Sequence, residues 1–136
     1  MVFVDTGAFI ARYLAQDAFH ASAAATWKTL VGRPLFTSNH VLDETLTMLG
    51  RRAGYGFAAD RGEAIYHSKS LQILYSTRDD ESHAIRMFRK FADQNVSFTD
   101  CISFVLMKRS RIIHAFTYDR HFAEAGFQII VQSELH

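Results

Sequence analysis

The chain opens Met1-Val2-Phe3-Val4-Asp5-Thr6-Gly7-Ala8-Phe9-Ile10. Val2 to Val4 is an apolar run without polar alternation, which marks a short strand buried on both faces. The run halts at a carboxylate, and an apolar pattern of helical period begins at once. A doubly buried strand feeding a helix is the unit of an open parallel α/β sheet. In such sheets ligands bind in the crevice outside the carboxyl ends of the strands. Asp5 therefore stands where chemistry is expected, as the first of several carboxylates that would converge there.

The rest of the chain repeats the alternation. Residues 8–15 and 18–30 are expected as helices, the second rich in alanine. Gly32-Arg33-Pro34 breaks the pattern before a short strand at 35–37. Ser38 or Asn39 can cap a helix over 40–53, whose core stripe is Leu42, Leu46 and Leu49. A helix at 57–68, a strand at 71–75 and a polar helix at 80–92 follow. Residues 97–107 are apolar nearly all round and predict a buried helix. A strand at 112–118, a short helix at 120–125 and a strand at 127–131 complete a three-layer α/β architecture. Periodicity does not fix the strand order.

No linker, repeat or charge block divides the 136 residues, so one domain spanning 1–136 is expected. The net charge of +1 gives no general attraction to a polyanion, so a nucleic-acid partner would need local charge or bound cations. The single cysteine, Cys101, cannot close a disulfide within the chain and reads as a small buried hydrophobe. No signal peptide or membrane span is evident, which makes the cytoplasm the default location.

Four acids sit where strands end or helices begin: Asp5, Glu44, Asp100 and Asp119. Helix capping is the structural alternative for three of them. Asp5 and Asp119 are placed as N-caps, and Ser97-Phe98-Thr99-Asp100 fits a capping box. Glu44 has no such role. It lies along the edge of the apolar surface of its helix, while Asp43 points roughly 100° away toward water. Its alternative is a salt bridge to a nearby arginine. Several carboxylates at one edge repel one another unless protons or a cation intervene. A hard divalent ion with oxygen ligands, Mg²⁺ or Mn²⁺, would meet that need.

Four motifs in order resemble those of PIN-domain ribonucleases, and in particular the small VapC-like toxins of bacterial toxin–antitoxin pairs. They are Val4-Asp5-Thr6, Val41-Leu42-Asp43-Glu44-Thr45, Ser97-Phe98-Thr99-Asp100-Cys101-Ile102-Ser103 and Phe116-Thr117-Tyr118-Asp119-Arg120-His121-Phe122. The resemblance spans almost the whole chain. It implies an α/β/α sandwich with a central parallel five-stranded sheet and RNA cleavage with Mg²⁺ or Mn²⁺. By motif match Asp5, Glu44 and Asp100 would hold the principal ion. Asp119 would complete the pocket or help a second ion, and Thr6 would be a hydroxyl neighbour. It also implies a homodimer and a small antitoxin protein that blocks the pocket. No role follows for Ser103.

The expected reaction is endonucleolytic hydrolysis by metal-activated water, leaving a 3′-hydroxyl and a 5′-phosphate. Arg51 and Arg52 are plausible phosphate contacts, or favourable charges at a helix C-terminus. Lys108, Arg109 and Arg111 carry the same two readings, while Arg86, Arg89 and Lys90 form a solvated face. His121 either approaches a phosphate or packs at a helix start, and His40 and His114 read as structural. The phenylalanines read as core, with Trp27 or Tyr13 available to a protein interface.

Two rival enzyme classes fit poorly. A haloacid-dehalogenase-like phosphatase needs a second acid where Gly7 stands, and a receiver domain needs a lysine later than Lys108. A catalytically silent PIN-like module that binds RNA or protein is the alternative to an enzyme.

Overall fold

A computed structural model describes residues 1–133; Glu134, Leu135 and His136, the end of the expected domain, lie outside the described residues. Five strands form one parallel sheet: β1 (Val2–Val4), β2 (Leu35–Ser38), β3 (Leu71–Leu74), β4 (His114–Phe116) and β5 (Gln128–Ile129). Seven helices flank it: α1 (Thr6–Tyr13), α2 (His20–Thr29), α3 (Asn39–Ala53), α4 (Tyr55–Tyr66), α5 (Arg78–Lys90), α6 (Phe98–Arg109) and α7 (His121–Glu124). The three-layer α/β expectation is met, and each predicted element is present within a few residues. The largest difference is β4, expected over 112–118 and paired only from His114 to Phe116.

The strand order is β3-β2-β1-β4-β5. The chain builds outward from β1 on one side, then returns to build the other side from β4. The order reverses between β1 and β4, and the crevice of an open sheet lies at such a reversal. Val4 pairs with Phe116 there, and the Asp5 N–H donates to the Phe116 carbonyl at 3.0 Å. The two chain segments that carry Asp5 and Asp119 therefore leave the sheet side by side.

The core explains why β1 lacks any alternation. Val2, Phe3 and Val4 are all fully buried, packed with Phe9, Phe104, Leu106, Phe116 and Phe122. Helix α6 is buried from Asp100 to Met107 except for the half-buried Val105, as its all-round apolarity predicts. Ser38 is the α3 cap, accepting the Val41 N–H at 3.0 Å. Gly54 ends that helix at φ +95°, a left-handed conformation that glycine adopts without strain. A smaller cluster of Ile10, Leu49 and Ala58 joins α1, α3 and α4.

The expectation that the phenylalanines are core needs correction. Phe19, Phe57 and Phe88 are exposed. Helix α5 shows why for Phe88: its inward residues are Asp80 and Ala84, with Met87 and Phe91 packed behind them. Residue 88 therefore falls on the outer side, beside the exposed Ile85.

Candidate active site

An open cleft of about 770 Å³ lies at the carboxyl ends of β1 and β4. Asp5, Glu44, Asp100 and Asp119 all line it, each delivered by a different part of the fold. Thr6 and Arg52 line it as well, whereas Arg51, the neighbouring arginine, is exposed and faces elsewhere. Asp17, Tyr118 and His121 are further lining residues.

Asp5 occupies the N-cap position of α1, yet its side chain caps nothing. Its Oδ2 instead accepts the Thr117 hydroxyl at 2.8 Å. Its Oδ1 is buried and has no hydrogen-bond partner among the described residues. Burial pushes the Asp5 carboxyl up to about 6, opposed by the Thr117 hydrogen bond and reinforced by the charges of Asp119 and Glu44. The Thr6 hydroxyl beside it is also buried and unpartnered.

Asp100 sits in the first turn of α6, where Ser97 Oγ accepts its N–H at 3.0 Å. The reciprocal half of the capping box is not made, and the carboxylate turns toward Asp119 instead. Burial raises its pKa to about 9, helped by the hydrogen bond to Asp119 and the negative charges of Asp5, Asp119 and Glu44. Burial and the facing carboxylates thus both favour the protonated form of Asp100.

Asp119 follows β4. Its Oδ1 accepts the His121 backbone N–H at 2.9 Å and lies 2.8 Å from His121 Nδ1. Its own N–H donates to Thr117 Oγ1 at 3.0 Å. Thr117 therefore links two of the acids, receiving from one residue's backbone and donating to the other's side chain. Glu44 is half-buried while Asp43 is exposed, as their helix positions require. No arginine or lysine pairs with Glu44 among the described residues, so the salt-bridge alternative for this acid is not realised.

The side chains close enough to share one ion differ from the trio that motif matching singled out. Ligand atoms of Asp100, Asp119 and His121 lie within 4.8 Å of one another. Asp5 and Glu44 face the same cleft from outside that triad. The donor set nonetheless fits a hard divalent cation: its ligands are mainly carboxylate oxygens, Asp5 Oδ1 is buried without a partner among the described residues, and burial, with the neighbouring negative charges, raises the pKa of Asp5 and Asp100.

Sequence and fold comparisons identify the family. Residues 2–128 match the model of the PIN domain. The chain belongs to the PIN-domain family. The 23S rRNA-specific endonuclease VapC20 of Mycobacterium tuberculosis is 37% identical over 129 residues, covering 93% of this chain and 95% of the relative. A VapC ribonuclease of Archaeoglobus fulgidus is 32% identical over 126 residues, 88% of this chain and 78% of that protein. The crystal structure of the M. tuberculosis VapC20, described as a sarcin-ricin loop cleaving toxin, superposes with a TM-score of 0.90 at 34% identity, covering 97% of this chain and all of the other. FitAcB of Neisseria gonorrhoeae, at 13% identity and a TM-score of 0.66, supports the fold alone. The chain is thus a VapC-like PIN domain, and PIN nucleases hydrolyse RNA phosphodiester bonds.

Cys101 and Arg109 fall outside the chemistry. The Cys101 thiol is raised to about 11 by burial and the neighbouring Asp100, so it stays a protonated, inert side chain. Arg109 is committed to Asp80, with Nε and a terminal nitrogen each 3.0 Å from its carboxylate oxygens. Two site features escaped sequence reasoning, or nearly so. The Thr117 hydroxyl went unassigned although it lies inside a recognised motif, and His121 was not counted among the ligands.

Proposed function

We propose that this PIN domain is an endoribonuclease whose activity requires Mg²⁺ or Mn²⁺ held by Asp5, Glu44, Asp100 and Asp119, with His121 beside the last two. The observation that carries the assignment is the set of carboxylates from four separate segments that meet in one cleft with no arginine or lysine paired to them among the described residues. A bound divalent cation supplies an acidified water and stabilises charge on the scissile phosphate. The protein's own groups position and tune. Thr117 fixes the Asp5 carboxylate, the Asp119 backbone completes that link, and Arg52 offers a positive charge to the substrate phosphates at the cleft wall.

The test is cleavage of RNA by purified protein with Mn²⁺, with EDTA, and in an Asp5→Asn plus Asp100→Asn variant. Cleavage that is stimulated by Mn²⁺ and lost in the variant and with chelator is expected. Full activity in the double variant would refute the assignment, because neutral amides hold hard cations weakly. Ribosomal RNA is the first substrate to try, given the stated specificity of the mycobacterial relative.

The description of that mycobacterial relative as a toxin supports a second component of the proposal. The protein pairs with a small antitoxin that covers the cleft, and it acts as a homodimer. Co-purification with the product of an adjacent small gene, and a molar mass of two chains by light scattering, are the expected results. Among the described residues no helix is long and apolar enough to cross a membrane.

A further inference from the structure

Beyond the acidic cleft the surface changes character. Asp17 and Arg52 line both the cleft and a second hollow, which also takes in Tyr13 and Phe57. Tyr13 and Phe57 in turn line a third hollow, together with Arg12, Trp27 and Arg61. The three depressions thus share residues and form one path across α1, α3, α2 and α4. Past Asp17 no acid lines that path among the described residues.

The side chains along it are arranged as a cationic and aromatic lattice. The Arg12 guanidinium lies 4.2 Å from the Trp27 ring centre and 5.2 Å from that of Tyr13. Arg61 lies 5.8 Å from Tyr13 and 5.2 Å from Phe57. Neither arginine, nor Arg52, forms an ion pair among the described residues. The Arg61 Nε–H is buried without an acceptor. Here both guanidiniums lie over aromatic rings, and neither is neutralised by a carboxylate among the described residues.

We infer that this path is a binding track for the RNA strand next to the cut site, with Arg12, Arg52 and Arg61 taking phosphates and the exposed Phe57 taking a base face. The inference rests on the nuclease reading above and extends it. Planar cations interleaved with aromatics are what single-stranded nucleic acid needs, because every base has a π-face and every nucleotide a charge. Arg12 is seven residues beyond Asp5, roughly 10 Å along the α1 axis. At about 3.4 Å per stacked nucleotide, the track begins about three nucleotides from the scissile phosphate. The scissile phosphate would approach acids through a cation while its neighbours lie on arginine, so the sign of the surface alternates as the strand requires.

The experiment compares Phe57→Ala and an Arg12→Gln plus Arg61→Gln double variant with the unaltered protein. Phe57 is exposed, and both variants are checked for an unchanged melting profile. RNAs of full length are set against RNAs shortened to one nucleotide on either side of the mapped cut. On the long RNA each variant should raise KM about 5- to 100-fold, the range for losing one stacked base or its phosphate contacts. On the RNA shortened on the track side, variants and unaltered protein should cleave alike. Equal behaviour of variant and unaltered protein on the long RNA overturns the track.

A binding arm keeps the two readings apart. Anisotropy of a labelled single strand is measured on the Asp100→Asn protein with and without the track substitutions. Binding that depends on Arg12 and Arg61, with no cleavage by any form, retains the track and sinks the nuclease. Unchanged RNA binding with loss of a co-purifying protein partner would make the path a protein-docking surface and overturn the inference.

Discussion

Asp80 and Asp100 begin from the same local pattern and end in opposite states. Each is the third residue of its helix, each follows a hydroxyl cap by three positions, and each is buried. Around Asp80 the box closes: the Thr77 N–H donates to Oδ2 at 2.9 Å, and the Asp80 N–H donates to Thr77 Oγ1 at 3.1 Å. Burial alone would raise this carboxyl. The Thr77 N–H and Arg109 outweigh it and hold the group below the usual carboxylate range. Around Asp100 the serine still caps, but the carboxylate faces Asp119, Asp5 and Glu44, and its pKa climbs to about 9. The difference comes from what tertiary structure places opposite the helix start. A satisfied acid is a brace, whereas acids held against one another favour a positive charge among them.

The largest expected effect separates the two by function. Asp100→Asn should lower RNA cleavage by about 1,000-fold or more, as loss of a group that holds the catalytic cation requires. Asp80→Asn should leave kcat/KM within about threefold. Comparable losses in both variants, measured on the same RNA, would erase the contrast.

Thr117→Val sharpens the comparison inside the cleft. It keeps the side-chain volume, removes the donor to Asp5 Oδ2 and strips the acceptor from the Asp119 N–H. The expected cost is about 10- to 100-fold in Mn²⁺ affinity or activity, as for other partners that orient metal ligands. An unaltered Mn²⁺ dependence of cleavage would show that the bridge does not orient the site.

Stability should then rank the sites the other way. Arg109→Ala removes hydrogen bonds to a buried carboxylate and should cost about 1–3 kcal/mol in urea unfolding, discounted because the arginine itself is half-exposed. Asp100→Asn, measured without metal at neutral pH, should stabilise, since it removes a group kept in a protonated state against repulsion.

The smallest effect is a slope. Asp5 and Asp100 have folded pKa values of about 6 and about 9, above the unfolded carboxylate. Their contribution is fully present below about pH 4 and is lost as pH rises through the folded values, by at most about 1.4 kcal/mol per pH unit for each proton. The metal-free protein should therefore lose stability on going from pH 5 to pH 9, and saturating Mn²⁺ should flatten the loss. Asp80 has the opposite sign, with stability present above the unfolded pKa and lost as acid protonates it.

Much of this was legible from residues alone. The uninterrupted apolar run before Asp5 announced a central strand, and the spacing of Leu42 and Leu49 set the inner face of α3, so that Glu44 fell at its edge. The fate of each acid was not legible. Ser97 to Asp100 and Thr77 to Asp80 carry one cap signature, and only the presence of Arg109 or Asp119 across the gap decides between them. The Thr117 hydroxyl reaches Asp5 across 112 positions of sequence, a contact created by the pairing of β1 with β4. Periodicity has no access to that pairing. Helix α5 misled in a simpler way. Its inner row is small and polar, with Asp80 and Ala84, so its large residues Ile85 and Phe88 face out.

The strand order also has a temporal meaning. β1 is synthesised long before its neighbour β4, whose His114 pairs with Val2 from 112 positions later. Until that late segment emerges, the nascent polypeptide carries Asp5, Glu44 and Asp100 without the hydroxyl and the last acid that assemble around them. The cleft can therefore be completed only after the segment that carries Thr117 and Asp119 has been made and has docked beside β1.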